Sequence, residues 1–122
     1  MERTKEYLMP EIQTVNGVNV LTKVINMPPN SVKDLVFQLR AAVAAPFLCA
    51  IGSLYQEKPM LSVMMSDDLV KDHGLNAGQM VREAAKLIQG GGGGQPHYAQ
   101  AGGKNADGLP AAVNKVVELA KL

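Results

Sequence analysis

Five consecutive glycines, Gly90, Gly91, Gly92, Gly93 and Gly94, form the most unusual stretch of the sequence. Each glycine loses more backbone entropy on ordering than any other residue, and none gains packing contacts from a side chain. Such a run is useful where the backbone passes through a space too narrow for side chains, or where bare N–H groups contact a ligand. A flexible linker is the alternative, but this run continues at once with Gln-Pro-His-Tyr. The pattern favours a binding site.

Side chains that could carry out catalysis are few and lie far apart in the sequence. His73 and His97 lie on either side of a predicted helix, so local spacing does not bring them together. Asp67, Asp68 and Asp72 are close in sequence, but carboxylates near a helix start are explained by the helix dipole. With one cysteine and two separated histidines, a zinc site is not expected. The sequence predicts neither a catalytic centre nor a metal site.

The glycine run also fails both common nucleotide-binding motifs. Its glycines lack the offsets of the dinucleotide fingerprint, and Asn105 follows Lys104 where a P-loop needs serine or threonine. In both motifs the glycines precede a helix and use its positive end. Here they follow a helix, whose C-terminal end carries partial negative charge. A phosphate bound here would therefore have to be held by the backbone amides of the run, with help from Lys104, Arg82 or Lys86.

Exposed backbone amides beside a few cations suit contact with a sugar–phosphate chain. Arg82, Lys86 and Lys104 give residues 82–105 three positive charges against one negative charge. His97 or Tyr98 is able to stack on a base or ribose. Two alternatives stay open. In the first, Tyr98 is a half-buried residue of the sheet and contacts no nucleic acid. In the second, Arg82 and Lys86 belong to an ordinary solvated helix face.

A mixture of strands and helices must position this stretch. The mixture predicts an α/β fold of the α+β type, with a mixed four- to five-stranded sheet flanked by about four helices in a single domain. Asn16-Gly17 is a strong hairpin signal, because both residues tolerate positive φ. The predicted order is a hairpin in residues 11–26, a helix capped by Asn30 or Ser31 and stopped by Pro46, strands at 47–55 and 60–65, a short helix after Ser66, a helix from Asn76 to Gly90, an edge strand at 98–101 and a helix at 109–122.

Composition sets further limits on function. The chain of 122 residues is long enough for one domain, and its net charge of +1 lacks the basic excess of most nucleic-acid binders, although a local basic face remains possible. Cys49 is the single cysteine, which excludes an internal disulfide, and its apolar neighbours predict a buried thiol. No apolar run is long enough to cross a bilayer, and the charged first residues do not resemble a signal peptide. We expect a cytoplasmic protein.

Residues 76–103 read NAGQMVREAAKLIQGGGGGQPHYAQAGG, and this stretch resembles the end of bacterial alanyl-tRNA synthetase. That family typically shows a helix, a glycine run, Arg-Pro, two variable residues and Ala-Gln-Ala-Gly-Gly. Residues 66–71 and the final helix fit as well, so the resemblance covers nearly the whole chain. Two positions depart from the family pattern. Gln95 stands where many relatives have arginine, and His97 stands where aspartate is common.

The resemblance is to the C-terminal globular domain of that synthetase, in the DHH-associated C-terminal domain family. It implies a mixed sheet flanked by helices. Residues 1–10 are then the remnant of a preceding linker or helix, and residues 11–122 are the globular tRNA-binding domain. It implies no catalytic centre and no cofactor in this fragment. ATP, magnesium and zinc belong to the parent ligase.

The implied function is to dock the outer corner of tRNA and to help couple aminoacylation with editing in the parent enzyme. The implied partners are tRNA, with tRNA-Ala the expected species, the aminoacylation and editing domains of the same synthetase, and a second copy of the chain; no membrane is implied. The alternative is a structural module that supports dimerisation, through exposed helix faces and the Met-rich strand at 60–65. The residues expected to contact nucleic acid are Gly90, Gly91, Gly92, Gly93, Gly94, Gln95, His97, Gln100, Lys104 and Arg82.

Overall fold

The structure, a computed structural model, describes residues 12–43 and 46–120. The predicted remnant at residues 1–10 lies outside this part of the chain. Short 3-10 helices follow the third α-helix and precede the fourth. The main elements are β1 (Gln13–Val15), β2 (Val18–Ile25), α1 (Pro29–Ala42), β3 (Phe47–Tyr55), β4 (Lys58–Met65), α2 (Asp67–Asp72), α3 (Ala77–Ala85), β5 (Gly91–Gly94), β6 (Tyr98–Gly102) and α4 (Leu109–Ala120).

The strands form one mixed sheet in the order β1-β2-β3-β4-β6-β5. Strands β2 and β3 are parallel, with helix α1 as the crossover between them, and the other neighbouring pairs are antiparallel. The predicted class is therefore confirmed. The sheet of the described residues has six strands, one more than the upper prediction, and the glycine run supplies one of them.

The sheet separates two hydrophobic cores. Helix α1 covers one face of β3 and β4, and helices α3 and α4 cover the opposite face. Side chains alternate between the two faces along each strand. The first core joins α1 to Leu21, Cys49, Ile51 and Met64. The second core joins α3 and α4 to Val20, Leu48, Ala50, Val63, Ala99 and Ala101.

Strand β3, which was predicted at residues 47–55, is covered on both faces. Its residues from Phe47 to Ser53 are all buried, which explains the nearly continuous apolar run. Cys49 is fully buried in it, and burial raises the pKa of its thiol well above the usual range. A thiol held in the protonated form is a poor nucleophile. Cys49 therefore has a packing function.

The helix starts agree only partly with the predicted caps. Asn76, where this helix was predicted to start, caps α3, because its Oδ1 accepts a hydrogen bond from the Gln79 amide at 3.1 Å. Helix α1 instead begins at Pro29, so the prediction of a cap at Asn30 or Ser31 is wrong. Proline is favoured at the first helical position because its missing N–H has no intrahelical partner there.

The end of α3 turns the chain into the glycine run. The helix was predicted to continue to Gly90, but it ends at Ala85 and becomes a 3-10 turn at Lys86–Ile88. Gln89 then adopts a left-handed conformation with φ of 54°. The Gly90 amide donates to the Ala85 carbonyl at 3.0 Å, which closes the helix end.

Two hairpin turns have the same backbone and different residues. Asn16 and Gly17 have φ of 49° and 84°, which confirms the predicted hairpin. Gln56 and Glu57 have φ of 52° and 64° between β3 and β4, although neither residue favours the left-handed region. The second turn is therefore strained, and the first is not.

Relieving this strain is expected to stabilise the protein. Changing Gln56→Asn together with Glu57→Gly should raise the free energy of unfolding by about 1–2 kcal/mol, because both new residues tolerate positive φ. Urea denaturation measures the change. The matched control, Asn16→Gln with Gly17→Glu in the first hairpin, should lower stability by a similar amount. An unchanged or reduced stability for the Gln56 and Glu57 variant contradicts the assignment of strain.

Candidate nucleic-acid interface

The glycine run lies in the sheet as edge strand β5, so it is neither a linker nor an irregular loop. It pairs antiparallel with β6, with Gly91 opposite Gly102 and Gly94 opposite Ala99. The segment at 98–101, predicted as an edge strand, is therefore second from the edge. Strand β6 is fixed on its other side by β4, with Met60 opposite Gly102.

Alternate glycines of the run leave no room for a side chain. A Cβ at Gly92 would lie 2.6 Å from the Ala101 Cα, and one at Gly94 would lie 2.7 Å from the Tyr98 carbonyl oxygen. A Cβ at Gly90 would collide with the backbone at Gly102. These distances are far below van der Waals contact. The close approach of β5 to β6 therefore requires glycine at 90, 92 and 94.

The two intervening glycines are under no such constraint. A Cβ at Gly91 would have no heavy atom within 4 Å. One at Gly93 would meet the Arg82 guanidinium at 3.5 Å, which is ordinary contact with a flexible side chain. The internal packing of the described residues therefore explains three of the five glycines, and two are open to another explanation.

The antiparallel ladder decides which glycine amides are used inside the sheet. Gln95 and Tyr98 exchange backbone hydrogen bonds of 2.9 and 3.3 Å across the hairpin end. Because bonded and non-bonded pairs alternate, Gly93 and Gly91 also bond to β6, and the amides of Gly92 and Gly94 turn away from it. Gly94 lies against α3, where a Cβ at Gly78 would be 3.1 Å from its carbonyl oxygen.

The turn between β5 and β6 is fixed by backbone hydrogen bonds. The Pro96 carbonyl accepts from the Ala77 amide at 2.8 Å, at the start of α3. The His97 carbonyl accepts from the Met65 amide at 2.9 Å, at the end of β4. The backbone of the turn is therefore held in place by two other elements.

A groove of about 280 Å³ lies beside this turn, and we call it the turn groove. It brings together five predicted contact residues, which are Gly93, Gly94, Gln95, His97 and Gln100. It also includes Lys33 and Phe37 of α1, which the sequence analysis missed. Their spacing of one helical turn was visible in the sequence, but only the fold places this part of α1 beside β6.

Tyr98 has a packing function, and Phe37 presents the exposed ring. The two rings pack with centroids 5.2 Å apart and an interplanar angle of 52°. The Tyr98 hydroxyl is buried, and burial raises its pKa to about 12. Ser62 and Gln100 lie beside the hydroxyl and partly oppose this shift, but neither is placed as its hydrogen-bond partner. Phe37 remains 39% exposed, so it is the better candidate for stacking on a base.

The predicted cations do not meet at one point. Arg82 is exposed on α3 with its guanidinium beside Gly93. Lys104 lies at the other end of the hairpin, where its amide donates to the Ile88 carbonyl at 2.7 Å. Together with Gly90, it lines a second and larger groove beside the β3–β4 turn. The predicted contact residues therefore divide between the two ends of β6.

Two of the aspartates near the start of α2 have structural contacts. Asp67 forms an ion pair with Arg40 of α1, at 2.9 Å. Asp68 accepts a hydrogen bond from Ser66, whose Oγ also accepts from the Phe47 amide. Across residues 12–43 and 46–120, no three His, Cys, Asp or Glu side chains are grouped closely enough to hold a metal ion. Nor does this part of the chain contain a helix long and apolar enough to span a membrane.

The model of the DHHA1 domain matches residues 17–122, and the chain belongs to that family. It is 54% identical over 116 residues to an alanine–tRNA ligase of Bacteroides fragilis and 40% identical over 123 residues to one of Porphyromonas gingivalis. These matches include 95% and 100% of the chain. The chain spans only 13% and 14% of those relatives.

Solved structures show the same architecture. The C-Ala domain of Aquifex aeolicus alanyl-tRNA synthetase matches with a TM-score of 0.77 and 27% identity, over 91% of this chain and 98% of that one. A DHH-domain protein described as a member of the s1p family of ribosomal proteins matches with a TM-score of 0.62 over 99% of this chain and 30% of its own. Its identity of 14% supports the fold alone. The resemblance to the C-terminal domain of alanyl-tRNA synthetase is confirmed.

The steric division of the glycine run is testable with two single substitutions. Gly92→Ala is expected to lower the free energy of unfolding by about 1–3 kcal/mol, because its Cβ forces β5 away from β6. Gly91→Ala, the matched control, should change it by less than about 0.5 kcal/mol, because its Cβ enters open space. Urea denaturation followed by circular dichroism measures both values. Equal destabilisation by the two substitutions contradicts the division.

The buried hydroxyl of Tyr98 predicts a pH-dependent effect. Tyr98→Phe should leave stability at neutral pH unchanged or slightly higher, because the lost hydroxyl has no hydrogen-bond partner. The folded pKa of about 12 exceeds the usual value of tyrosine. The unfolded chain therefore loses this proton first, and the stability present below about pH 10 is lost as pH rises toward 12. The variant should lose less stability than the native protein in this interval, as measured by urea denaturation. A parallel loss in both proteins contradicts the prediction.

Proposed function

We propose that this domain binds the outer corner of tRNA, where the D- and T-loops meet, as part of an alanine–tRNA ligase. The observation that carries the proposal is the likeness to a C-Ala domain of alanyl-tRNA synthetase over 91% of the chain. In this proposal the rest of the ligase supplies the ATP-dependent chemistry, with its magnesium and zinc. The domain holds one tRNA in the cytoplasm so that the acceptor end reaches both the aminoacylation and the editing centres.

The turn groove has the chemical groups that such a contact needs. The exposed ring of Phe37 offers a stacking surface for a base or ribose. Lys33 lines the groove and Arg82 lies next to it, beside Gly93, so both offer charge to phosphates. Gln95 and Gln100 offer amide donors and acceptors. The backbone bonds around Pro96 and His97 hold the turn in place, so little ordering is needed on binding.

The charge of the chain sets the expected strength of binding. The net charge is only +1, so few phosphates are neutralised on contact. Few released counterions give a shallow dependence of affinity on salt concentration. We therefore expect weak binding by the isolated domain, with stacking and shape contributing more than charge.

Fluorescence anisotropy with labelled tRNA-Ala at several salt concentrations tests this function. The native domain should bind in the micromolar range or more weakly at low salt. Replacing both Lys33 and Arg82 by glutamate should lower the affinity about tenfold or more, because two attractive contacts become repulsive. Lys71→Glu with Lys115→Glu makes the same charge change on α2 and α4, away from the turn groove, and is the control.

Two results contradict the proposal. One is the absence of tRNA binding by the native domain at low salt. The other is an equal loss of affinity in the Lys33 and Arg82 variant and in the control, which indicates a general charge effect. Comparison of tRNA-Ala with a second tRNA then measures selectivity.

The dimerisation alternative loses one of its two supports. The Met-rich strand at 60–65 forms β4 in the middle of the sheet, between β3 and β6. Met64 and Met65 are fully buried, and Met60 is half-buried. Apart from Met60, this strand is therefore not accessible to a second copy of the chain. No other described feature favours dimerisation over nucleic-acid binding.

A further inference from the structure

The second groove lies where α1 no longer covers the sheet, and we call it the platform groove. It has a volume of about 860 Å³, in the range of pockets that hold small ligands. Strands β3, β4 and β6 form its floor, and the β3–β4 turn forms one end. The residues that characterise it are Tyr55, Lys58, Met60, Gly102 and Lys104.

The register of the strands places the ring of Tyr55 close to Lys58 and Lys104 on this floor. Tyr55 lies directly opposite Lys58, and Met60 lies between Ser53 and Gly102. Residues that face each other across antiparallel strands project from the same side of the sheet. Tyr55 is 36% exposed on this floor and is not packed beneath α1. The floor is thus an exposed aromatic surface beside two lysines.

Gly102 leaves the backbone of this floor without a side chain, although the packing of the fold does not require glycine at this position. A Cβ at Gly102 would have no heavy atom within 4 Å, and its backbone does not have positive φ. The next residue, Gly103, is different, because its Cβ would collide with the Ile88 carbonyl. Gly91, the partner of Gly102 across β5, is also sterically free. A glycine that packing does not require is explained by the close approach of a ligand to the backbone.

Strained residues border the same groove. Gln56, Glu57 and Gln89 have left-handed conformations, with φ of 52°, 64° and 54°, and all three line it. Among the described residues the only other non-glycine residue of this kind is Asn16, in a turn that suits it. Strain that persists in ordinary residues is concentrated at binding sites. The groove therefore combines strain, a bare backbone and an exposed ring.

We propose that the platform groove binds one unstacked nucleotide of single-stranded RNA. The base stacks on Tyr55, the sugar passes over Gly102, and the phosphate lies between Lys58 and Lys104. Two cations against Glu57 favour an anion over a neutral peptide or a lipid chain. The proposal deepens the proposed function and rests on it for the source of the nucleotide, which is an exposed loop base of tRNA.

A short labelled oligoadenylate tests the groove separately from tRNA. In anisotropy titrations, Tyr55→Ala should weaken binding about tenfold, because base–aromatic stacking is lost. Tyr55→Phe keeps the ring and should bind like the native chain. Gly102→Leu should weaken binding about tenfold or more, since its side chain fills the floor. Because a Cβ there meets open space, its thermal midpoint should stay near the native value.

The outcomes separate this inference from the proposed function. Oligoadenylate binding that depends on Tyr55 and Gly102 supports the inference, even where the native chain fails to bind tRNA and the proposed function fails. No oligoadenylate binding, or binding unchanged in Tyr55→Ala and Gly102→Leu, overturns it. In that case tRNA binding that still depends on Lys33 and Arg82 leaves the proposed function intact. Loss of binding in Tyr55→Phe equal to that in Tyr55→Ala also overturns the stacking assignment.

Discussion

The close approach of strands β5 and β6 is the constraint on which the rest of this region depends. A Cβ at Gly90, Gly92 or Gly94 would enter the backbone of β6. On its other side β5 meets α3, where Gly78 allows the helix to lie directly against Gly94. Between β6 and α3 there is thus room for the backbone of β5 but not for side chains at Gly90, Gly92 and Gly94. In this way β5 adds a sixth strand to the sheet without adding a layer of side chains.

The same constraint joins the end of α3 to the end of β6. Gly103 passes so close to the Ile88 carbonyl that no side chain fits, and the amides of Lys104 and Asn105 both donate to that carbonyl. Gly108 makes a similar approach to the Leu87 carbonyl. Carbonyl groups at a helix end need such donors, because they have no partner in the helix. Glycines that look like a flexible region in the sequence therefore form a tightly bonded junction.

Local signals in the sequence were sufficient for much of the fold. The Asn16-Gly17 hairpin, the Asn76 cap and the apolar run of β3 each depend on neighbouring residues, and each is confirmed. Strand β5 could not be predicted, because glycines carry no hydrophobic periodicity. Its existence depends on β6, whose position depends on β4. The start of α1 differs from the prediction for a local reason, because Pro29 competes with polar caps that are equally visible in the sequence.

The candidate site was less predictable than the fold because it depends on which residues share a face of the sheet. Tyr98, Gln100 and Gly102 alternate along β6 with Ala99 and Ala101, which are buried under α3 and α4. The turn groove and the platform groove therefore lie on one face, joined by the outward residues of a single strand. Exposed rings and bare backbone stand close to this strand, while the net charge of the chain is only +1. A surface that binds through stacking and shape needs no excess of basic residues, so the composition of the chain does not indicate it. The surface becomes apparent only when the register of β6 shows which residues share a face.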